Sequence, residues 1–247
     1  MPREHGAYAA LLFPLVGACL QARARPMVAA LAVAAVAVFM AHEPLLVLLG
    51  VRGKRARDEL GARALRRGAL LMFVAVAAAA VAFRLGTITA ELLIAVTIPS
   101  ALGLAVLPFA WRNDEKALAA ELLASAALSA ASIPVLVAGG VRLWSAGLYA
   151  LVWLLSFTLS TFAVRTVTRG RRDPAVAARL RRTTAAVAAS IPVAALGGWA
   201  AQLLPFWFAL ALLPAAVATL ALLAINPSSK QLKRVGWGLV SASVLTF

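Results

Sequence analysis

Long apolar runs separated by short polar connections cover nearly the whole chain. Most runs hold about 20 residues with few charges, the length an α-helix needs to cross a hydrocarbon core of about 30 Å. The pattern therefore predicts an all-α fold: a polytopic membrane helical bundle of about nine transmembrane segments that forms a single integral membrane domain over residues 1–247. The nine segments are Gly6–Gln21, Met27–Gly50, Gly68–Phe83, Ala90–Trp111, Ala117–Gly139, Leu143–Val164, Thr183–Leu203, Pro205–Ile225 and Val235–Phe247.

Helix-breaking residues agree with several of these boundaries. Pro26 opens the second segment, Gly139-Gly140 closes the fifth and Asn226-Pro227 closes the eighth. The ninth segment would reach only about 20 Å, so whether it crosses the membrane fully stays open.

The first segment could instead be a secretory signal, which has a basic start, an apolar core and a small-residue cleavage site. Glu4 and His5 fit that pattern poorly, as does Pro14 in the middle of the run. Because further apolar segments follow, we interpret residues 7–20 as a first span.

Composition agrees with the membrane interpretation. The chain is 63% hydrophobic and 13% charged, with a mean hydropathy of +0.92. Its net charge of +15 is also typical of nucleic-acid binders. Here, however, the arginines lie between apolar segments, where positive charge sets topology and meets anionic lipid. We therefore expect the lipid bilayer as partner and no nucleic acid.

The positions of the basic residues predict the orientation. Twenty of the 24 Lys and Arg residues fall on one side of the predicted membrane, and Arg23, Arg25, Arg84 and Arg142 fall on the other. The positive-inside rule then places the N-terminus in the cytoplasm. We expect a multi-pass protein of the bacterial cytoplasmic (inner) membrane.

A few ionisable residues stand inside or at the ends of the apolar segments. Such groups are costly in lipid and mark a site by default. The candidates are His5, His42, Glu43, Glu121 and Arg165, and all five fall in the cytoplasmic half of the predicted bundle.

Polar residues also recur at helical spacing after Glu121. Ser125, Ser129 and Ser132 continue its helix face, and Ser156 with Ser160 repeats the spacing on the sixth segment. Close helix packing accounts for serines of this kind, but it does not account for a carboxylate. Two interpretations stay open: Glu121 pairs with a cation such as Arg165 or His42, or it lines a wet pocket.

Three stretches resemble the YwiC-like family of bacterial membrane proteins: EHGAYAALLFPLVG, WRNDEKALAAELLASAALSAASIPVLVAGG and KQLKRVGWGLVSASVLTF. The resemblance implies an integral membrane protein and brings no established reaction.

The chain is more distantly similar to UbiA-type prenyltransferases. The likeness rests on Pro14 with Gly17 and on the stretch from Glu121 through Pro134 to Gly139-Gly140. It implies nine helices, a cytoplasmic N-terminus and a lateral, lipid-accessible pocket. In that superfamily Asp-rich motifs after the second and sixth helices hold Mg²⁺ for prenyl transfer.

Those motifs are missing from this chain, which reads AHEPLLVLLGVRGKRARDELG and TFAVRTVTRGRRDP at the two places. Mg²⁺ needs carboxylates together with substrate oxygens, so we expect no metal and no cofactor. Arg165 lies where a metal-binding Asp would be and could bind an anionic group bidentately. His42 with Glu43 could position or move a proton.

These observations predict a polar pocket near the cytoplasmic face that binds or modifies an isoprenoid, quinone or similar amphiphile. His42, Glu43 and Glu121 are the candidate catalytic residues, and His5, Ser125 and Arg165 are the candidate ligand-binding residues. Whether the protein is an enzyme stays open, with a non-catalytic lipid carrier or a small-solute transporter as alternatives. We also expect the His5 ring to lie within about 8 Å of the carboxylate of Glu43 or Glu121, near enough for a water-bridged contact.

Overall fold

The structure, a computed structural model, describes residues 5–112, 114, 117–169, 174–225 and 232–245, apart from the side chains of 5–7, 169, 174–175, 232–234, 237 and 240. These ranges contain helices and connections, and no strand occurs within them. The helices are α1 (His5–Gln21), α2 (Pro26–Leu48), α3 (Lys54–Leu85), α4 (Ala90–Trp111), α5 (Leu118–Ala130), α6 (Ser132–Ala138), α7 (Leu143–Arg169), α8 (Pro174–Ala200), α9 (Phe206–Ile225) and α10 (Leu232–Leu245).

Seven spans in the described ranges are long and apolar enough to cross a membrane, with α5 and α6 together counting as one. This confirms the predicted all-α, multi-pass class. The first and last helices are shorter, at 17 residues for α1 and 14 for α10. At 1.5 Å per residue they measure about 25 and 21 Å, so the count of nine spans stays a prediction.

The helix α3 begins at Lys54, well before the predicted segment start at Gly68. Residues 54–67 include five Arg, three Ala and two Leu, which favour helix, and Arg55 Nε donates to Glu59 Oε1 at 2.7 Å across one turn. This basic stretch, which the sequence pattern assigned to a connection, is therefore the first part of a 32-residue helix.

The predicted fifth segment is divided in the structure. α5 ends at Ala130 and α6 begins at Ser132, with Ala131 in a turn between them. Pro134 explains the position of the break, because it lacks an N–H and its ring crowds the carbonyl four residues earlier, at Ala130. The Ser132 hydroxyl donates to the carbonyl of Ser129 at 2.7 Å beside the break.

The chain divides into two compact units, Met1–Ala150 and Leu151–Phe247, with the boundary inside α7. In the first unit the α5–α6 span packs against α1 and α4, and α6 also packs against α2. α3 lies along α2 through a row of small buried residues, and an added Cβ at Gly68 would stand 3.3 Å from the Cβ of Pro44. The row is Ala64, Gly68, Ala75 and Ala82.

The connection between α1 and α2 meets the end of α6. The backbone of Ala22 lies directly against Gly139, and Arg25 Nη1 donates to the carbonyl of Ala138 at 3.3 Å. We call this contact the α1–α6 junction. The Tyr149 hydroxyl ties α7 to α1 by donating to the carbonyl of Pro14 at 3.1 Å.

The second unit is built on α7 from Leu151, α8, α9 and α10. Leu159 of α7 packs in a buried cluster with Ala188 of α8 and with Ala215 and Ala216 of α9. The small residues let these helix backbones approach closely. The predicted single domain over 1–247 stays a prediction.

Candidate functional site

Three of the predicted site residues in the first unit lie at the same distance from the α1–α6 junction. His5, Glu43 and Glu121 each stand about 17 residues from it along α1, α2 and the α5–α6 span, which is about 25 Å of helix. Because these helices pack side by side, the three positions share one end of the unit. We call it the polar end.

An aromatic contact joins α1 to α2 just inside the polar end. The rings of Tyr8 and Phe39 meet edge to face, with centroids 5.3 Å apart. Tyr8 is one turn from His5, and Phe39 is one turn from His42 and Glu43. The backbones of the two predicted histidine positions are therefore on neighbouring helices at a similar level.

Glu43 is held by Arg52, an arginine of the connection that follows α2. Arg52 Nε donates to Oε1 at 3.0 Å and Arg52 Nη2 donates to Oε2 at 2.8 Å. The turn that follows α2 brings Arg52 back to Glu43, and Gly50 and Gly53 in this turn have positive φ angles of 76° and 91°. Both carboxylate oxygens are engaged, so a role for Glu43 as general base would require the arginine fork to open.

His42 is exposed on the surface of α2, whereas Glu43 beside it is partly buried. Successive helical residues point about 100° apart, which separates the two side chains. The two side chains therefore leave α2 in different directions.

Glu121 is partly buried in the first turn of α5. A carboxylate is favoured there by the helix macrodipole, by about 0.3–1 kcal/mol. One turn later the Ser125 hydroxyl donates to the Glu121 backbone carbonyl at 2.9 Å. Ser125 can still accept a hydrogen bond, but its proton is used within the helix.

Ser129 continues the same face and differs from its neighbours. Its side chain is 1% exposed, and its hydroxyl has no hydrogen-bond partner among the described residues. A buried hydroxyl without a partner costs about 1–3 kcal/mol. It lies beside the break between α5 and α6, about 12 Å of helix beyond Glu121.

Arg165 belongs to the second unit, on α7, and is partly buried. Near it, Thr184 and Thr166 are hydrogen-bonded through their hydroxyls at 2.8 Å, and Thr166 donates to the Phe162 carbonyl at 2.9 Å. The Ser156 hydroxyl of the same unit is buried and has no partner among the described residues. The predicted role of Arg165 beside the first-unit residues stays a prediction.

The described residues contain no group of three or more His, Cys, Asp or Glu side chains placed to hold a metal ion. The His5 side chain, Glu4 and the basic stretch 170–173 lie outside the described residues, so the expected position of the His5 ring stays a prediction. Tyr8 and Arg52 were not among the residues that the sequence pattern indicated. Neither carried a signal, since an aromatic in an apolar run and an arginine in a basic connection are both ordinary.

The sequence model of the YwiC-like protein family matches residues 1–136, which is more than half of the chain and includes α1 to α5. No curated protein and no solved structure matches the chain. The chain belongs to the YwiC-like family.

Proposed function

We propose that this YwiC-like protein binds or modifies an amphiphilic lipid, an isoprenoid or quinone-like molecule, whose polar head enters the first unit at the polar end. His42 and Glu121 would contact the head group, with Glu43 positioned by Arg52. In this proposal the protein lies in the bacterial cytoplasmic membrane, with a cytoplasmic N-terminus and a UbiA-like arrangement of helices.

The observation that carries the proposal is the buried hydroxyl of Ser129, which has no partner within the part of the chain that the structure describes and lies on the face that begins at Glu121. A carbonyl or ether oxygen on a ligand could accept its hydrogen bond and remove the cost of leaving it unpaired. Glu121 and Ser129 are separated by about 12 Å of helix, which is long enough for a ring-sized head group. An apolar tail would then extend among the helices or into lipid.

The proposal includes a chemical role only for proton transfer. A histidine titrates near neutral pH, so His42 could give or take a proton at a ligand oxygen. We propose no metal-dependent step, since the sequence lacks the Asp-rich motifs that hold Mg²⁺ in the similar prenyltransferases.

The test is mass spectrometry of lipids that remain bound to the detergent-solubilised protein, comparing wild type with Ser129→Ala. The control is Ser100→Ala, which removes an exposed hydroxyl that donates to its own helix at the Val96 carbonyl, 2.8 Å away. We expect Ser129→Ala to lose bound lipid. We also expect lipid-free Ser129→Ala to melt at or above the temperature of lipid-free wild type, because the substitution removes an unpaired polar group.

Equal lipid content in wild type and Ser129→Ala would overturn the proposal. A lower melting temperature of the lipid-free Ser129→Ala protein would also do so, because the hydroxyl would then have a partner inside the protein. Ser100→Ala should behave as wild type in both measurements.

The broken α5–α6 span favours a second candidate, a small-solute transporter. Many transporters place their substrate where a membrane helix is interrupted, because the interruption frees backbone groups for the substrate. The alternative predicts solute uptake into proteoliposomes that Pro134→Ala would change, because alanine restores the N–H that proline lacks and removes the ring that crowds the helix. A lipid that returns chemically unchanged from the binding assay would instead indicate a non-catalytic carrier.

A further inference from the structure

We propose that the outer face of α3 is a binding site for an anionic phospholipid, with three arginines for the phosphate head and apolar side chains for the acyl chain. This site is separate from the polar end and does not depend on the proposed function. Its arginines are Arg63, Arg66 and Arg67, and its apolar residues are Leu70 and Phe73.

The length of α3 places these arginines at the level of the lipid head groups. The helix has 32 residues and measures about 48 Å, which exceeds a hydrocarbon core of about 30 Å by about 18 Å. Its apolar stretch runs from Gly68 to Phe83 and is bounded by Arg67 before it and by Arg84 after it. Since charges avoid the hydrocarbon, Arg84 marks one interface and Arg66 with Arg67 marks the other.

The arginines lie together on one face. At 100° per residue, Arg63, Arg66 and Arg67 are neighbours within one turn. All three are exposed, and none has a hydrogen bond or ion pair with another described residue. Three adjacent guanidinium groups of this kind attract a phosphate, which each can bind through two N–H groups.

The same face continues into the membrane as an apolar stripe. Leu70 is four residues after Arg66 and Phe73 is seven after it, and these side chains are 62% and 71% exposed. The opposite face of α3, which includes the buried Ala64 and Gly68, packs on α2. On the outer face, the arginines lie at the predicted membrane interface and the apolar side chains follow toward the membrane interior. A phospholipid has the same order, with its phosphate at the interface and its acyl chains inside.

A lipid is favoured over free phosphate because the apolar stripe adjoins the arginines and would have no role with an inorganic ion. It is favoured over a neutral lipid because the arginines provide three positive charges without a described counter-ion. Anionic lipid attracts each such charge near the surface, which strengthens binding about fivefold for each arginine.

The test is native mass spectrometry of the full-length protein in neutral detergent, titrated with phosphatidylglycerol or with phosphatidylcholine of the same acyl chains. We expect preferential binding of phosphatidylglycerol, and at least tenfold weaker binding by the triple variant R63Q/R66Q/R67Q. The variant R63K/R66K/R67K should bind with intermediate affinity, because it keeps the charge but loses the paired N–H contacts of each guanidinium. The control R23Q/R84Q/R142Q removes the same charge from scattered positions and should bind as wild type.

Two further arms identify the ligand. Leu70→Ala combined with Phe73→Ala should weaken binding of long-chain phosphatidylglycerol and leave a short-chain analogue unaffected. Equal binding by wild type and R63Q/R66Q/R67Q, or equal binding of the two lipids, would overturn the proposal. Full competition by inorganic phosphate would assign the arginines to a free anion and would overturn the proposal. A change of oligomeric state in the Leu70 and Phe73 variant would assign the face to a second copy of the chain and would also overturn the proposal.

Discussion

Replacing Gly139 with alanine tests the α1–α6 junction. The polar end was defined by the distance of His5, Glu43 and Glu121 from this junction. An added Cβ would overlap the Cβ of Ala22 and would stand 2.8 Å from the Cα of Ala22 and 3.2 Å from the backbone nitrogen of Arg23. Two of these three atoms are backbone, so no side-chain rotation can relieve the contact. The helix connection itself would have to move.

The expected cost follows from two opposing effects. Overpacking of this kind destabilises by about 1–3 kcal/mol. Gly139 has φ of −74° and ψ of −4°, which alanine adopts easily, and alanine restricts the unfolded chain, a gain of about 0.4–1 kcal/mol. The two ranges leave a net loss of up to about 2.6 kcal/mol in the free energy of unfolding. Since the overlap is with backbone atoms, we expect Gly139→Ala to lie in the upper part, at about 1–2.6 kcal/mol, or about 2–10 °C in melting temperature for proteins of this size.

Thermal unfolding of the detergent-solubilised protein, followed by intrinsic fluorescence, measures the change. The matched control is Gly103→Ala inside α4, where an added Cβ would meet nothing within 4 Å. Alanine is the better helix former, so this variant should be stabilised by about 0.5–1 kcal/mol. If Gly139→Ala melted at or above wild type while Gly103→Ala behaved as expected, the close approach at the junction would be refuted.

Three other predictions concern charge, topology and metal. Glu43→Gln and Arg52→Gln should each lower the free energy of unfolding by less than about 1 kcal/mol, because the side chains of the pair are about one-third exposed. The two changes should be non-additive in a double-mutant cycle, and strict additivity would mean that the fork does not form. Reporter fusions after Arg182 should be cytoplasmic and fusions within residues 140–142 external, and the reverse result would contradict the orientation derived from charge. The purified protein should hold no Mg²⁺ tightly and catalyse no Mg²⁺-dependent prenyl transfer to aromatic acceptors; turnover of a prenyl diphosphate that stops with chelator would show the opposite.

The candidate site was partly predictable. Ionisable residues in apolar runs indicated His42, Glu43 and Glu121 as candidates, and alternate crossing of the membrane indicated a common end, because composition and helix rise are enough for both inferences. The role of these residues at a site stays a prediction. The serine spacing after Glu121 identified a helix face, but not which hydroxyl lacks a partner. That distinction depends on the break at Ala131 and on how α1, α2 and α4 surround the span.

The sequence by itself determined the membrane class, most of the long helices and their order, because in lipid each backbone group must be satisfied within its own helix. Periodicity could not show that residues 54–67 extend α3, since a basic amphipathic helix and a basic loop have similar composition. Only the tertiary structure decided that Arg52 pairs with Glu43, that Tyr8 meets Phe39 and that Gly139 lies against Ala22. Each of these contacts joins separate helices or the connections at their ends, and which surfaces meet depends on the packing of the whole unit rather than on any local pattern.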